Sequence, residues 1–510
     1  MCAVNPVEGE ESRPAAHGFG RTLRIISVLG GASVVSLVLG VAKMKVAALM
    51  LGPVGIGVIA LLQNTIGVAT TLGDAGMRQS GAREISRELV TQEPERVRQV
   101  VLTLCWLGLS FGLLSSALLF GLRNVIADRL LDRPDLADEL GWCTAAVAAT
   151  VIAAALTAML NGHHRVREVT LVTIFSALLS CVIAVTAIWL WGSDAISLFV
   201  VSAPVVLMLV SLWYVVKIGV LPPLRLPARL HFALARKLLR LGVFVMLSAI
   251  ALSLSELTVR LAIQRAAGLF ELGLFSAAWA IGVYYLNFLM VATYTEFFPR
   301  LSATFDQVGE RNAAINMQIH VLCIVAAPMV IVLSAFCPWV LRILYSAQFL
   351  EATELVRLMV IGDVFRLSIY PLGFVLIAAS HGRSFFALKL LEATAFATLS
   401  LVLLPLWGLE GVGFAHIATF MLLFGAYCAT LSKSLGFRFS LRTAATIAAL
   451  LATAASLAII ASKSEVGAMV VGGILLAAWA GAAVTIWVKH RRLSVPLTGW
   501  ATNTEHRDVP

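Results

Sequence analysis

The chain has 510 residues, of which 60% are hydrophobic and 13% charged, with a net charge of +10 and a mean hydropathy of +0.92. Soluble domains average about 45 to 50% apolar and about 25% charged residues. The composition therefore excludes an ordinary soluble protein, and it equally excludes a disordered chain, a collagen-like fibre and a small disulfide scaffold. It predicts a protein embedded in a lipid bilayer.

Long apolar stretches follow one another along the whole chain. A helix needs about 20 mostly apolar residues to cross about 30 Å of hydrocarbon. Fourteen stretches meet this requirement: residues 25–49, 52–72, 99–121, 141–161, 169–191, 195–216, 242–263, 272–295, 319–341, 354–379, 385–407, 411–432, 444–462 and 468–488. Stretches such as 444–462 lack the alternating polarity of membrane β-strands. The fold predicted is an all-α polytopic membrane protein with about 14 transmembrane helices.

Lys and Arg residues are distributed unevenly between the connecting segments. Of the 38 cations, 26 fall in the tails and alternate loops, six in the opposite loops and six inside the spans. Because short loops rich in Lys and Arg stay on the cytoplasmic side, both termini are predicted to be cytoplasmic. The basic charge is thus a topology signal, and it forms no single patch of the kind that binds nucleic acid.

The loop lengths and the position of the longest loops predict the domain organisation. A cytoplasmic tail (1–24) precedes an N-lobe of six spans (25–216), a cytoplasmic linker (217–241), a C-lobe of six spans (242–432), a helix pair (444–488) and a second cytoplasmic tail (489–510). The stretch 73–98 is predicted to form an amphipathic helix with Ile85 and Leu89 on one side. No loop is long enough to hold a soluble catalytic domain.

An internal repeat supports the two-lobe division. The first external turn reads LGPVGIG from Leu51, and the turn after the seventh span reads AGLFELG from Ala267. An offset of 216 residues places Gly52 on Gly268 and Gly57 on Gly273, and the turn 408–413 repeats the same glycine spacing. Equivalent units that start in the same orientation are typical of parallel repeats related by an axis along the membrane normal.

Three motifs resemble those of a known family. The hairpin ALMLGPVGIG (48–57), the segment LGDAGM (72–77) and the basic run 83–85 resemble Wzx-type polysaccharide flippases, O-antigen translocases of the multidrug/oligosaccharidyl-lipid/polysaccharide exporter superfamily. The resemblance extends over residues 20–490. It implies two six-helix lobes in a V shape, a C-terminal helix pair and alternating access.

The same resemblance implies the activity. Such a carrier moves an undecaprenyl-pyrophosphate-linked oligosaccharide repeat unit, of O-antigen or exopolysaccharide, from the cytoplasmic to the periplasmic leaflet of the bacterial inner membrane. It needs no cofactor, contacts membrane lipids, and works beside a polysaccharide polymerase and a chain-length regulator. A coupling proton or cation is a further implied partner, for which Glu256, Asp363 and Glu392 are candidate carriers.

Charged residues inside the spans are the strongest candidates for the site, because each costs about 2.5 to 3.5 kcal/mol on insertion scales and usually faces a cavity or a partner. Arg260, Arg366 and Lys389 are predicted to form a ladder of cations through the membrane for an anionic headgroup. The alternative interpretation is that neighbouring residues neutralise each other on one helix. The pairs in question are Glu256 with Arg260, Asp363 with Arg366, and Lys389 with Glu392.

Lys43 and Lys45 lie late in the first span, two residues and therefore about 200° apart around a helix. At most one of them faces the centre of the lumen, and the other interpretation is that both snorkel to the outer headgroups. Polar side chains of the second and eighth spans are candidates for a sugar path, and the alternative interpretation is hydrogen bonding between helices. They are Gln63, Asn64, Tyr284, Tyr285, Asn287 and Tyr294. His416 is a candidate protonation switch or a structural histidine.

Enzyme motifs lack the context they need. Gly108 to Gly112 matches GxSxG but lies inside an apolar span, where it is typical of helix packing. A multidrug or cation antiporter of the same superfamily and a membrane polymerase remain as alternatives to the flippase. Six intramembrane cations against three carboxylates favour an anionic substrate over a cationic drug. The sequence therefore predicts a transporter and no enzyme.

Overall fold

The computed structural model describes residues 15–74, 76–90, 94–220, 232–303, 305, 307–379 and 381–493. Every regular element within these ranges is helical. The α-helices are α1 (Ala15–Asp74), α2 (Met77–Val90), α3 (Pro94–Val125), α4 (Ala137–Gly162), α5 (Val166–Trp191), α6 (Ile196–Lys217), α7 (Phe232–Ala267), α8 (Leu269–Ala303), α9 (Val308–Ala335), α10 (Cys337–Leu344), α11 (Thr353–Ala378), α12 (Gly382–Leu435), α13 (Leu441–Lys463) and α14 (Glu465–Leu493). A π-helical turn (Ile126–Leu130) and three short 3₁₀ turns connect them.

The longest helices, α1 and α12, are hairpins of two arms. Gly52 has φ +63° and Gly408 has φ +58°, a left-handed conformation that favours glycine. Gly40 and Gln63 line the same cavity, although a straight helix would hold them about 35 Å apart. The rings of Phe396 and His416 likewise lie 6.0 Å apart on the two arms of α12. The chain therefore folds back at both glycines.

Eleven continuous helical stretches in the described residues are long and apolar enough to cross a membrane. Three of them contain a turn, at Gly52, at Gly408 and at the 3₁₀ segment Gly192–Ala195 between α5 and α6. The all-α multi-pass membrane fold predicted from the sequence is thus confirmed, while the count of fourteen crossings stays a prediction. The amphipathic helix predicted in 73–98 is α2, with Ile85 fully buried and Leu89 exposed.

The helices pack in two groups. Helices α3 to α6 pack with one another and with α1, whereas α7, α8, α9, α11 and α12 form the second group, and α13 and α14 pack on α9. In the predicted linker, residues 221–231 lie outside the described residues and α7 already begins at Phe232. Residues 1–14 and 494–510 of the predicted tails lie outside them as well, and the N-terminal helix begins at Ala15. The exact lobe boundaries stay a prediction.

The two groups meet where α1 packs on α8. A Cβ on Gly57 would lie 2.5 Å from the carbonyl oxygen of Leu269, and a Cβ on Gly273 would overlap the backbone of Pro53. The absence of side chains at both glycines therefore allows the two backbones to touch. Gly268, the repeat partner of Gly52, has φ +91°, so both turns of the repeat use a left-handed glycine.

Candidate functional site

A cavity of about 310 Å³ lies in the second group of helices, between α7, α8, α11 and α12, and is called the C-lobe cavity below. Seven of its sixteen lining residues are aromatic: Trp279, Tyr370, Phe374, Phe385, Phe396, Phe420 and Tyr427. Four charged residues also line it, Glu256, Arg366, Lys389 and Glu392. The cavity thus combines aromatic rings with a few polar groups, as ligand sites commonly do.

Each cation at the C-lobe cavity has a carboxylate beside it. Lys389 Nζ donates to Glu392 Oε2 at 2.7 Å, and Arg260 donates to Glu256 Oε2 at 3.0 Å. Arg366 lies 3.7 Å from Asp363 Oδ1. The described charges around this cavity therefore sum to zero, with three cations and three carboxylates. This arrangement matches the interpretation of neutralising pairs on one helix.

Asp363 joins three helices through a buried network. Tyr285 Oη donates to its Oδ2 at 3.0 Å, and His416 Nε2 lies 3.0 Å from its Oδ1. Asp363 is 1% exposed and His416 is completely buried. The His416 ring packs edge-on against Phe420, with centroids 4.7 Å apart. The network fixes α8, α11 and α12 directly behind the C-lobe cavity.

A second cavity, of about 520 Å³, lies among α1, α4, α5 and α6, with one lining residue each from α2 and α8, and is called the N-lobe cavity. Neutral polar side chains supply much of its lining: Ser36, Gln63, Thr157, Asn161, Thr173, Ser176, Ser180 and Tyr284. Lys43 and Arg78 are its two cations, and among the described residues no carboxylate lines it. The N-lobe cavity therefore differs from the C-lobe cavity in the sign of its charge.

Lys43 is held in the N-lobe cavity by neutral groups. Its Nζ donates to the carbonyl oxygen of Phe199 at 2.9 Å and to Ser202 Oγ at 3.3 Å. The ammonium also lies 4.1 Å from the centre of the Phe199 ring, a cation–π distance. None of these partners carries a negative charge, so the charge of Lys43 remains available to an anionic ligand.

Lys45 lies elsewhere. Its Nζ donates to the carbonyl oxygens of Arg342, at 2.7 Å, and Tyr345. It therefore ties α1 to the end of α10, and within the described chain it lines neither cavity. The two lysines face different ways, as the 200° rotation between them requires.

The remaining residues predicted to contact the substrate do not lie together. Tyr284 lines the N-lobe cavity and also an apolar cavity of about 500 Å³ between α1, α8, α9 and α10. Asn64 has a buried side-chain oxygen without a hydrogen-bond partner in the described structure and lines neither polar cavity. The side chains of Asn287 and Tyr294 lie outside the described residues.

Arg260 and Arg357 make contacts between helices. The guanidinium of Arg260 lies over the rings of Phe275 and Trp279, at 5.7 and 5.9 Å from their centres. Arg357 is completely buried and donates to Glu354 and to both oxygens of Glu465, at 2.6 to 2.9 Å. It therefore fastens α14 to α11, a contact between residues 108 positions apart that no sequence spacing indicates.

Comparison with known proteins shows the family to which this chain belongs. Residues 46–354 match the family model described as "Polysaccharide biosynthesis protein". This chain belongs to the polysaccharide biosynthesis protein family. Known relatives of this family member are the Lipid III flippases of Escherichia coli (strain K12) and Shigella flexneri, each 22% identical over 278 residues. The alignment covers 54% of this chain and 65% of the length of each relative.

Solved structures show the same fold. An inward-facing multidrug resistance MATE family transporter of the MOP superfamily aligns with a TM-score of 0.65 at 16% identity, over 78% of this chain and 95% of the other. The lipid II flippase MurJ in an inward closed conformation aligns with a TM-score of 0.65 at 11% identity, over 90% and 99%. These structures show the fold, whereas the family match confirms the resemblance seen in the sequence motifs. The relatives are named as flippases and transporters rather than enzymes.

Proposed function

We propose that this chain is a flippase for an oligosaccharide linked to undecaprenyl pyrophosphate. The observation that carries the proposal is Lys43, an intramembrane cation in a cavity whose described lining holds no carboxylate. An unneutralised charge within a membrane protein usually serves transport or ligand binding, because inserting it is costly. A pyrophosphate group supplies the negative counter-charge that Lys43 lacks within the cavity.

The neutral lining of the N-lobe cavity suits the same substrate. Hydroxyl and amide groups such as those of Thr157, Asn161 and Ser180 both donate and accept hydrogen bonds. They replace the water that surrounds a sugar or a phosphate ester during the crossing. The relatives named as lipid II and lipid III flippases have the same fold or family, which supports a lipid-linked substrate.

The finer assignment follows the topology predicted from the sequence. The repeat unit of an O-antigen or exopolysaccharide is taken from the cytoplasmic leaflet and released in the periplasmic leaflet of the inner membrane. Both termini are cytoplasmic, and the two lobes, 25–216 and 242–432, alternate in access. The substrate contacts are drawn from Lys43, Tyr284 and the charged residues of the C-lobe cavity, whereas Lys45 ties α1 to the end of α10. A polymerase and a chain-length regulator then use the released unit.

A deletion strain tests this function. It should accumulate undecaprenyl-pyrophosphate-linked oligosaccharide in the cytoplasmic leaflet and lose its surface polysaccharide, and a plasmid copy of the chain should restore both. Lys43→Met should fail to restore them, whereas Lys43→Arg should restore them in part because it keeps the charge. Unchanged surface polysaccharide together with new sensitivity to cationic drugs would instead indicate the antiporter.

A further inference from the structure

The two cavities differ in charge, and we infer from this that they bind different parts of the substrate. The inference rests on the proposed function. In it, the N-lobe cavity holds the pyrophosphate and the C-lobe cavity is a subsite for one neutral sugar ring of the oligosaccharide. The observations that assign the sugar are the charge balance of the C-lobe cavity, the nature of its walls and its size.

Charge balance argues against an anion in the C-lobe cavity. Lys389 is engaged by Glu392 at 2.7 Å, and Arg366 lies 3.7 Å from Asp363. The carboxylate of Glu256 faces the same cavity and is paired with Arg260. A pyrophosphate entering here would meet the carboxylates of Glu256 and Glu392 and would have to separate partly buried ion pairs, which is unfavourable.

A sugar ring fits the same groups without separating them. Each hydroxyl both donates and accepts, so it adds to Lys389 and Glu392 while their ion pair remains intact. The C–H face of a pyranose is apolar and packs on aromatic rings, of which the cavity has seven among its sixteen lining residues. A volume of about 310 Å³ lies at the low end of the range for ligand sites, which suits one ring rather than a whole repeat unit.

Gly373 on α11 allows a steric test of this subsite. It lines the C-lobe cavity, and a Cβ placed on it would lie 3.9 Å from the hydroxyl oxygen of Tyr427, an ordinary contact distance. Gly373→Ala is therefore accommodated and serves as the matched control. The larger side chain of Gly373→Leu extends into the cavity and occupies the space assigned to the sugar.

The experiment measures binding to the purified full-length chain in lipid nanodiscs. Two probes are used: the lipid-linked oligosaccharide extracted from the deletion strain, and undecaprenyl pyrophosphate without sugar. Gly373→Leu should weaken binding of the first probe about tenfold, the effect of losing about 1.4 kcal/mol, and leave the second unchanged. Gly373→Ala should bind both probes as the wild-type chain does.

A second variant tests the polar side of the subsite with little change in volume. Lys389→Met combined with Glu392→Gln removes the ion pair and keeps the cavity neutral, so it should reduce preference for the glycosylated probe while binding undecaprenyl pyrophosphate normally. Elution of each variant as a single folded species by size exclusion accompanies the measurement.

The possible results separate the subsite from the function. Gly373→Leu and the double variant binding both probes like the wild-type chain, or losing both equally, would overturn the sugar subsite and leave the flippase proposal standing. Loss of tetraphenylphosphonium binding in Gly373→Leu, with both lipids bound normally, would also overturn it by assigning the cavity to organic cations. A wild-type chain that binds neither lipid would overturn the proposed function itself and the subsite with it.

Discussion

Gly57 and Gly273 are equivalent positions of the internal repeat, and the structure brings them together. The nitrogen of Gly273 lies 3.3 Å from the point where a Cβ on Gly57 would stand, and the backbone of Pro53 occupies the corresponding point beside Gly273. Two residues related by the predicted repeat thus meet where α1 packs on α8. Backbone contact of this kind requires glycine on both sides.

We therefore expect Gly273→Ala to separate α1 from α8 at this contact. The added methyl overlaps backbone rather than a flexible side chain, so relief requires movement of α1 away from α8. Overpacking typically costs about 1 to 3 kcal/mol. The melting temperature of the purified protein should fall, and a cysteine placed at the contact should react faster with a water-soluble maleimide.

Gly425→Ala is the matched control for this substitution. Gly425 lies within α12 and has no atom within 4 Å of the point where its Cβ would stand. Alanine is the better helix former by about 1 kcal/mol, so this variant should melt no lower than the wild-type chain. Equal melting temperatures for Gly273→Ala and Gly425→Ala would contradict the close backbone contact.

Lys43 and Lys45 provide a second comparison within one helix. Lys43→Met should lower the affinity for undecaprenyl pyrophosphate at least about tenfold, the effect of losing about 1.4 kcal/mol of attraction between Nζ and the phosphate. Because the substitution removes an unneutralised charge, it should not reduce the amount of protein in the membrane. Binding to the purified chain and immunoblots of membrane fractions measure the two effects.

Lys45→Met should give the opposite pattern. Its Nζ donates to two backbone carbonyls at the end of α10, so the variant should lose stability but keep its affinity for undecaprenyl pyrophosphate. A larger loss of affinity from Lys45→Met than from Lys43→Met would show that the wrong lysine has been assigned to the substrate.

Much of the fold was accessible from the sequence because its signals are local. Spans follow from about 20 consecutive apolar residues, and the turns at Gly52, Gly268 and Gly408 follow from glycine spacing; all three have positive φ. Pairs such as Lys389 with Glu392 are also local, since residues three positions apart share a helix face. These elements required no knowledge of how helices pack.

The site was harder to predict from the sequence, because its most important contacts join segments that are far apart in the chain. Asp363 could be paired with Arg366 on its own helix, but its partners Tyr285 and His416 lie 78 and 53 positions away. The count of six intramembrane cations against three carboxylates omits the two glutamates beside Arg357. Glu354 is the first residue of a predicted span, and Glu465 lies between two predicted spans. A sum of charges over the spans cannot show which cavity each charge faces.

Arg357 leads to a prediction about stability. Its guanidinium is completely buried and binds both oxygens of Glu465 as well as Glu354. Removing the cation leaves two carboxylates close together without a counter-charge. Their side chains are 45% and 44% exposed, so water screens part of the loss, and we expect a cost of about 1 to 3 kcal/mol. Arg357→Met should therefore lower the melting temperature and the amount of protein in the membrane.

A double variant distinguishes the contribution of the ion pair to stability from that of side-chain packing. Arg357→Met combined with Glu465→Gln no longer carries the Glu465 charge and should recover part of the lost stability. Lys463→Met, at the exposed end of α13, serves as the control and should melt like the wild-type chain. A double variant no more stable than Arg357→Met would indicate that the side-chain volume of Arg357, rather than its charge, holds α14 in place.

Asp363 leads to the last prediction, on the network behind the C-lobe cavity. Asp363→Asn keeps the shape of the side chain but removes the negative charge beside Arg366 and one of the two acceptor oxygens. Tyr285 and His416 both direct polar atoms at this carboxylate, in a site where Asp363 is 1% exposed. The unpaired guanidinium and the mismatched amide together should cost about 3 kcal/mol or more.

Thermal unfolding in detergent measures this loss, with Glu256→Gln as the control. The Glu256 side chain is 32% exposed against 1% for Asp363. Its partner Arg260 keeps the rings of Phe275 and Trp279 as neighbours, so Glu256→Gln should lower the melting temperature less than Asp363→Asn. Asp363→Asn combined with Arg366→Gln removes the unpaired cation and should recover part of the stability. A buried acceptor shared by Tyr285 and His416 is harder to replace than a partly exposed one, so Asp363→Asn should melt below Glu256→Gln. Equal melting temperatures for these two variants would show that the network does not fix the three helices.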